Sequence, residues 1–347
     1  MSSYLFTYII LIFLSFICSK SKNVNNTVCI TLLPISVFFI FCFALRNSSV
    51  GTDTPNYIEY FYLDWNGYSG KIEPLYLLLN KVFHFLFNNY IFFFTFEAII
   101  IIISTFCISS KASYCMCFPL AFALLYVPSL NIQRQVLAIS FSLIFLYRTS
   151  RYNFLNLFFL SLCCFIHNST VFFVLIYIFS PFLKLSNKFY KFIFLLCFVL
   201  VYFGLFDKVL FNVISFTPYK GYIDFFYEAG SKKLKISILN SIKWIIYFHL
   251  FDYTNKNPKR CLYNNFILLM FITDLLVKQY PFLFRVSYLF SSMIIPCMKL
   301  VCDKIVIEKK LIDKVFCFFV LLFYSMQFMA NLSLGQNEVI PFCFSEL

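Results

Sequence analysis

The chain has 347 residues, 61% of them hydrophobic and only 12% charged, whereas a soluble domain carries about 25% charge. Fifty-two are Phe, far more than one soluble core buries. These proportions exclude a soluble globular protein and imply an all-α, polytopic membrane protein, read as one integral domain over 1–347. The net charge of +13 belongs to loops and reads as topology, not as a nucleic-acid surface.

The first apolar run, 3–18, has no Lys or Arg ahead of it and no small-residue cleavage site. It reads as a retained span, not a secretory signal. Further runs at 29–45, 90–108, 114–128, 135–148, 153–167, 170–184, 189–206, 236–251, 264–277, 286–301 and 315–330 bring the total to about twelve spans, within a range of 10–13. None shows the strict alternation of a membrane barrel.

Between the second and third runs lies "LRNSSVGTDTPNYIEYFY", residues 45–62, polar and punctuated by Gly and Pro. Residues 74–87, "PLYLLLNKVFHFLF", follow, with Asn80, Lys81 and His84 in one polar stripe at helical spacing. They predict an amphipathic or re-entrant helix on the outer face, because a full span there would reverse every later loop.

Short loops carrying Lys20, Lys22, Lys111, Arg148, Arg151, Lys184, Lys188, Lys191, Lys256, Lys259, Arg260, Lys304, Lys309, Lys310 and Lys314 mark the cytoplasmic side. Both termini then lie outside. The outer side has the two long loops, 46–89 and 207–235, and most of the glycines. Glycine marks tight turns and close backbone approach, so the working site belongs at the outer interface.

Four polar features recur at the outer ends of spans. They are Arg46 with "GTD" (51–53), "NIQRQ" (131–135) with Arg134, "HNST" (167–170) with His167, and "RVSYLF" (285–290) with Arg285. Arginines fork onto phosphate oxygens and stay charged, so three of them suit a diphosphate leaving group. His167 is the first candidate for a general base. Asp53 shares that role or orients a sugar hydroxyl. The competing reading is that such arginines snorkel to lipid headgroups and that the histidine is structural.

Asp274 lies inside an apolar run, either as a functional carboxylate or paired with Lys278 four residues on. Most of the fourteen cysteines lie in apolar runs and read as packing residues, with no metal site and no cofactor expected.

The ordered set of motifs resembles the EpsG-like family of polysaccharide polymerases. "LRNSSVGTDTPNYIEYF" and "EPLYLLLNKVF" are similar to its Arg, G-T-D, Tyr and Glu-x-x-Tyr segments; "NIQRQVLAISFSLIFLYR" to its Asn-x-x-Arg-Gln helix; and "FIHNSTVFF" to its His turn. "RVSYLFSSMIIP" is similar to its late Arg-x-x-Tyr-Phe segment, with Leu289 replacing an aromatic, and "YKGYIDFFYE" to its Tyr-x-x-Tyr loop.

The resemblance implies a Wzy-type polymerase in the bacterial cytoplasmic membrane. A hydroxyl of one undecaprenyl-diphosphate-linked oligosaccharide would attack the anomeric carbon of another, with inversion and without a metal. It implies diphosphate binding by Arg46, Arg134 and Arg285, and sugar binding by Asp53, Tyr57, Glu59, Tyr60, Glu73, Tyr219 and Tyr222. Membrane lipid and a chain-length-regulating membrane protein are the implied partners. The rivals are a flippase for the same lipid-linked sugars and an outer-leaflet ligase or acyltransferase.

Overall fold

The computed structural model describes residues 2–21, 27–28, 30–63, 72–147, 152–183, 185–203, 238–254, 257–279 and 283–334. All regular structure among them is helical. Among the described residues five helices are long and apolar enough to cross a membrane: Ser3–Lys20, Tyr90–Ile108, Lys111–Ser129, Arg260–Val277 and Leu311–Ser333. Shorter apolar helices occupy Leu32–Ala44, Pro74–Phe87, Phe154–Cys163 and Asn168–Phe179. Many large apolar side chains point outward, among them Phe13, Phe41, Phe85 and Phe318. Water would penalise that surface and hydrocarbon would not, so this is a multi-pass membrane protein.

The chain forms two compact units, Met1–Ile178 with Ile295–Leu347, and Phe179–Ile294. In the first, α1 (Ser2–Lys20) packs on α6 (Lys111–Ser129), and α5 (Tyr90–Ile108) packs on both α2 (Leu32–Ala44) and α7 (Gln133–Tyr147). Helix α6 contains a π-helical turn, Phe122–Tyr126, flanked by Pro119 and Pro128. Each proline lacks an N–H and disturbs the regular ladder.

Helix α3 (Thr54–Tyr62) falls where the composition reads as a loop. Pro55 sits in its first turn, where a missing N–H costs nothing, and Tyr57 and Phe61 supply a buried face. Helix α4 (Pro74–Phe87) occupies the predicted outer segment. Its 14 residues reach about 21 Å at 1.5 Å per residue, short of a ~30 Å hydrocarbon core. The polar stripe turns inward: Asn80 is buried, and the His84 ring packs against Phe61 and Tyr62. The exposed face is apolar, with Leu78, Val82 and Phe85. Asn88 then takes a left-handed backbone (φ 50), and the Asn89 side chain accepts the Ile91 N–H at 2.9 Å, starting α5.

Helix α8 (Phe154–Cys163) and α9 (Val171–Phe179) flank the 168–170 turn, and α14 (Ile294–Glu308) and α15 (Leu311–Ser333) complete the unit. At one end Ser110 donates to Asp303 at 2.5 Å, bringing Lys111 together with the Lys304–Lys310 region. Arg46, Asn131 and His167 lie at the other end.

The second unit holds α10 (Asn187–Tyr202), α11 (Ile238–Leu250), α12 (Arg260–Gln279) and α13 (Phe284–Ser291). The run expected as one span at 286–301 is thus two helices, α13 and α14, broken at 292–293. The Ser291 and Ser292 hydroxyls donate back to the Ser287 and Leu289 carbonyls there, an alternative partner for the helical backbone. Asp274 pairs across helices with Lys243 at 2.5 Å and accepts the Trp244 indole N–H at 2.9 Å. Its cation here is Lys243: a buried carboxylate needs a desolvated, well-aligned partner, and α11 provides two donors, whereas the side chain of the expected partner, Lys278, lies outside the described residues.

Candidate functional site

The "GTD" segment is clamped onto the end of α6. Gly51 has φ +86, and a Cβ there would strike the Leu130 carbonyl. The Thr54 hydroxyl lies 3.0 Å from that same carbonyl oxygen, and the Asp53 N–H donates to Asn131 Oδ1 at 3.1 Å. Residues 51–54 and 130–131 therefore form one joint.

Below it Arg46 is fully enclosed. Its guanidinium is sandwiched between the Phe43 and Phe94 rings, 4.2 and 4.1 Å from their centroids. It donates to the Phe43 carbonyl at 2.7 Å, to Gln133 Oε1 at 2.8 Å and to Thr54 Oγ1 at 3.4 Å. The Gln133 amide donates in turn to the buried Glu97 carboxylate. Burial lowers the Arg46 pKa to about 10 against the opposing pull of Glu97, so it stays cationic at neutral pH. Diphosphate binding needs donors that a ligand reaches. Here they are spent on the scaffold, so Arg46 fastens α2 to α7 and α5.

Arg134, one residue past Gln133, points the other way. Its side chain is 20% exposed and forms a 2.6 Å ion pair with Glu73, itself 11% exposed. The Tyr60 and Tyr76 rings lie 5.7 and 5.8 Å from the guanidinium carbon, and the buried Tyr57 phenol interacts with the same group. Tyr57 packs edge-on against Tyr60 and Tyr76. Burial pushes its phenol pKa up, so it stays protonated.

The His167 turn joins this cluster through Asn168, whose N–H faces Glu73 Oε1 at 3.4 Å. The Leu75 and Tyr76 N–H groups both donate to Phe165, at 2.9 and 3.3 Å, tying the start of α4 to the same turn. His167 Nδ1 accepts the Ser169 N–H at 3.2 Å, and the Ser169 hydroxyl lies 3.0 Å away. An accepting Nδ1 puts the neutral ring's proton on Nε2, which then donates. In this arrangement His167 caps the 168–170 turn through Nδ1.

Four of the predicted stretches therefore meet: 46–60, Glu73, Arg134 and His167. Glu59 is exposed on α3, and Asp53 is half-buried at its start. Arg285 is exposed near the start of α13 in the second unit, beside the Phe284 ring. Tyr219, Tyr222 and the 207–235 segment lie outside the described residues. Gln133, Tyr76 and Asn131 carried no individual assignment from sequence. Glu97 was open to assignment, as a carboxylate within the most apolar of the five candidate spans.

The fold is that of a helical, multi-pass membrane protein carrying an arginine–carboxylate pair ringed by tyrosines at the ends of its helices. The chain belongs to the EpsG family, whose model matches residues 30–344. No curated protein and no solved structure matches it.

Proposed function

We propose that this protein is a polysaccharide polymerase at the outer face of the bacterial cytoplasmic membrane. About twelve spans, with both termini outside, would place the Arg134 cluster at the outer leaflet. The substrate is an undecaprenyl-diphosphate-linked oligosaccharide, and a hydroxyl of one unit displaces the diphosphate of another with inversion at the anomeric carbon. Family membership supports the class. The observation that carries the reading is the partly buried Arg134–Glu73 pair within its ring of tyrosines.

Each part of that cluster suits one part of the substrate. Arg134 supplies positive charge to the leaving diphosphate, where stabilising developing charge matters most. Tyr60, with Tyr62 and Glu59 on the same helix, offers flat faces and acceptors to sugars. His167 donates from Nε2 to a phosphate or glycan oxygen. The lipid tail stays in the bilayer beside the exposed Phe and Leu side chains, and a chain-length-regulating membrane protein is the proposed partner.

A flippase for the same substrate would also need an outer arginine, but it would need a polar path across the bilayer as well. Among the described residues the intramembrane charges Lys243 and Asp274 pair with each other, and Glu97 is tied through Gln133 to Arg46, which favours the polymerase. An outer-leaflet ligase or acyltransferase would consume the same substrate without lengthening it. The deciding experiment is lipid analysis of cells lacking the protein. Single lipid-linked repeats accumulating on the outer leaflet support polymerisation. The same units trapped inside identify a flippase, and finished lipid-linked polymer identifies a ligase.

A further inference from the structure

We propose that Glu73 is the general base of the transfer, parked on Arg134 until a lipid diphosphate displaces it. The inference rests on the polymerase reading and assigns its proton acceptor.

Glu73 stands at the N-cap position of α4, with extended backbone (φ −64, ψ 138), yet its side chain caps nothing. A carboxylate there ordinarily accepts the first amides of the helix. In α4 those amides are taken: residue 74 is proline, and the Leu75 and Tyr76 N–H groups go to the Phe165 carbonyl. The carboxylate is left to turn toward Arg134 at 2.6 Å, with Asn168 N at 3.4 Å from its other oxygen. It thus occupies the place on the guanidinium where a substrate anion would sit.

A diphosphate carries more charge than a carboxylate and offers more oxygens to a guanidinium fork. It competes directly for Arg134. Once released, Glu73 has lost its cation and is free to accept a hydrogen bond from the acceptor hydroxyl. The other groups around Arg134 are the phenols of Tyr57, Tyr60 and Tyr76, none of which is a base at neutral pH. His167 Nδ1 is engaged by Ser169.

The step balances without a co-reactant. The acceptor hydroxyl proton passes to Glu73 as the hydroxyl oxygen bonds to the anomeric carbon. The carbon–oxygen bond to phosphate breaks with its electron pair leaving on the diphosphate, held by Arg134. Departure of the lipid diphosphate lets Glu73 shed the proton and return to Arg134.

The first test uses the wild-type full chain in lipid nanodiscs, with farnesyl diphosphate as the probe. Carboxylates are coupled to glycine ethyl ester with a carbodiimide, and labelling of Glu73 is read by peptide mass spectrometry. Displacement predicts a rise of about three-fold or more at saturating probe; an unchanged or lower value overturns the inference alone. Failure of the wild type to bind the probe overturns the lipid-diphosphate reading and this inference with it. The second test is Glu73→Gln. It should bind farnesyl diphosphate about five-fold more tightly, because a competing charge worth roughly 1 kcal/mol is gone. It should also make about 100-fold less polymer per protein. A purely structural ion pair predicts weaker binding, and weaker binding or near-normal polymer overturns the assignment.

Discussion

Arg46→Met tests whether the enclosed arginine is scaffold or ligand site. The substitution removes charge-assisted hydrogen bonds to the Phe43 carbonyl and Gln133, at 2.7 and 2.8 Å, and contacts with two aromatic faces. Breaking a buried ionic arrangement from one side costs about 3–5 kcal/mol. About 4 kcal/mol corresponds to a fall in Tm on the order of 10 °C for a chain of this class. The assay is heating of detergent-solubilised protein followed by size-exclusion chromatography. Glu97→Gln should cost less, since Arg46 keeps its rings and its carbonyl partner. The double variant should be about 2 kcal/mol less destabilised than the sum of the singles, because the two groups share Gln133 as intermediary. An Arg46→Met protein that melts within about 2 °C of wild type yet makes no polymer would refute the scaffold argument and return Arg46 to the substrate.

Arg134→Lys should behave in the opposite way. The lysine keeps a single ion-pair contact with Glu73, so Tm changes little, but loss of the fork lowers polymer by about ten-fold or more; normal polymer counts against a diphosphate contact. His167→Asn preserves a side-chain acceptor for the Ser169 N–H and removes the Nε2 donor. Protein abundance should hold while polymer falls about 100-fold, and full polymer would mean that the ring is only a cap. Cysteine introduced at the exposed Ser49 of a cysteine-free chain should react with an impermeant maleimide added to whole cells, whereas one at the exposed Lys310 should not. The reverse pattern inverts the orientation.

The convergence of residues 51–54, 73, 131–134 and 167–170 was legible in the sequence, because polar segments between apolar runs collect at span ends. The opposite fates of Arg46 and Arg134 were not. Both are arginines at the end of a run, and which one is enclosed depends on Phe43 and Phe94 coming together from α2 and α5. The partners of Asp274 were hidden for a related reason: Lys243 and Trp244 reach the carboxylate from another helix. Helix α3 was hidden by its tyrosines and proline, which fit a loop as well as a first helical turn. The break at 292–293 did leave a signal, Pro296 in the first turn of α14 beside a serine pair, but the apolar run passes over it without interruption.

The contact at Gly51 sets a different kind of constraint from the rest of the site. Arg46 and Glu97 are side chains, so a loss at one is open to repair by a change at the other. The obstacle facing a larger residue 51 is the main-chain oxygen of Leu130, which every amino acid carries. No exchange at position 130 removes it. In a selection for suppressors, lesions in the buried charges should therefore yield second-site revertants, whereas Gly51→Ala should revert only at codon 51 itself.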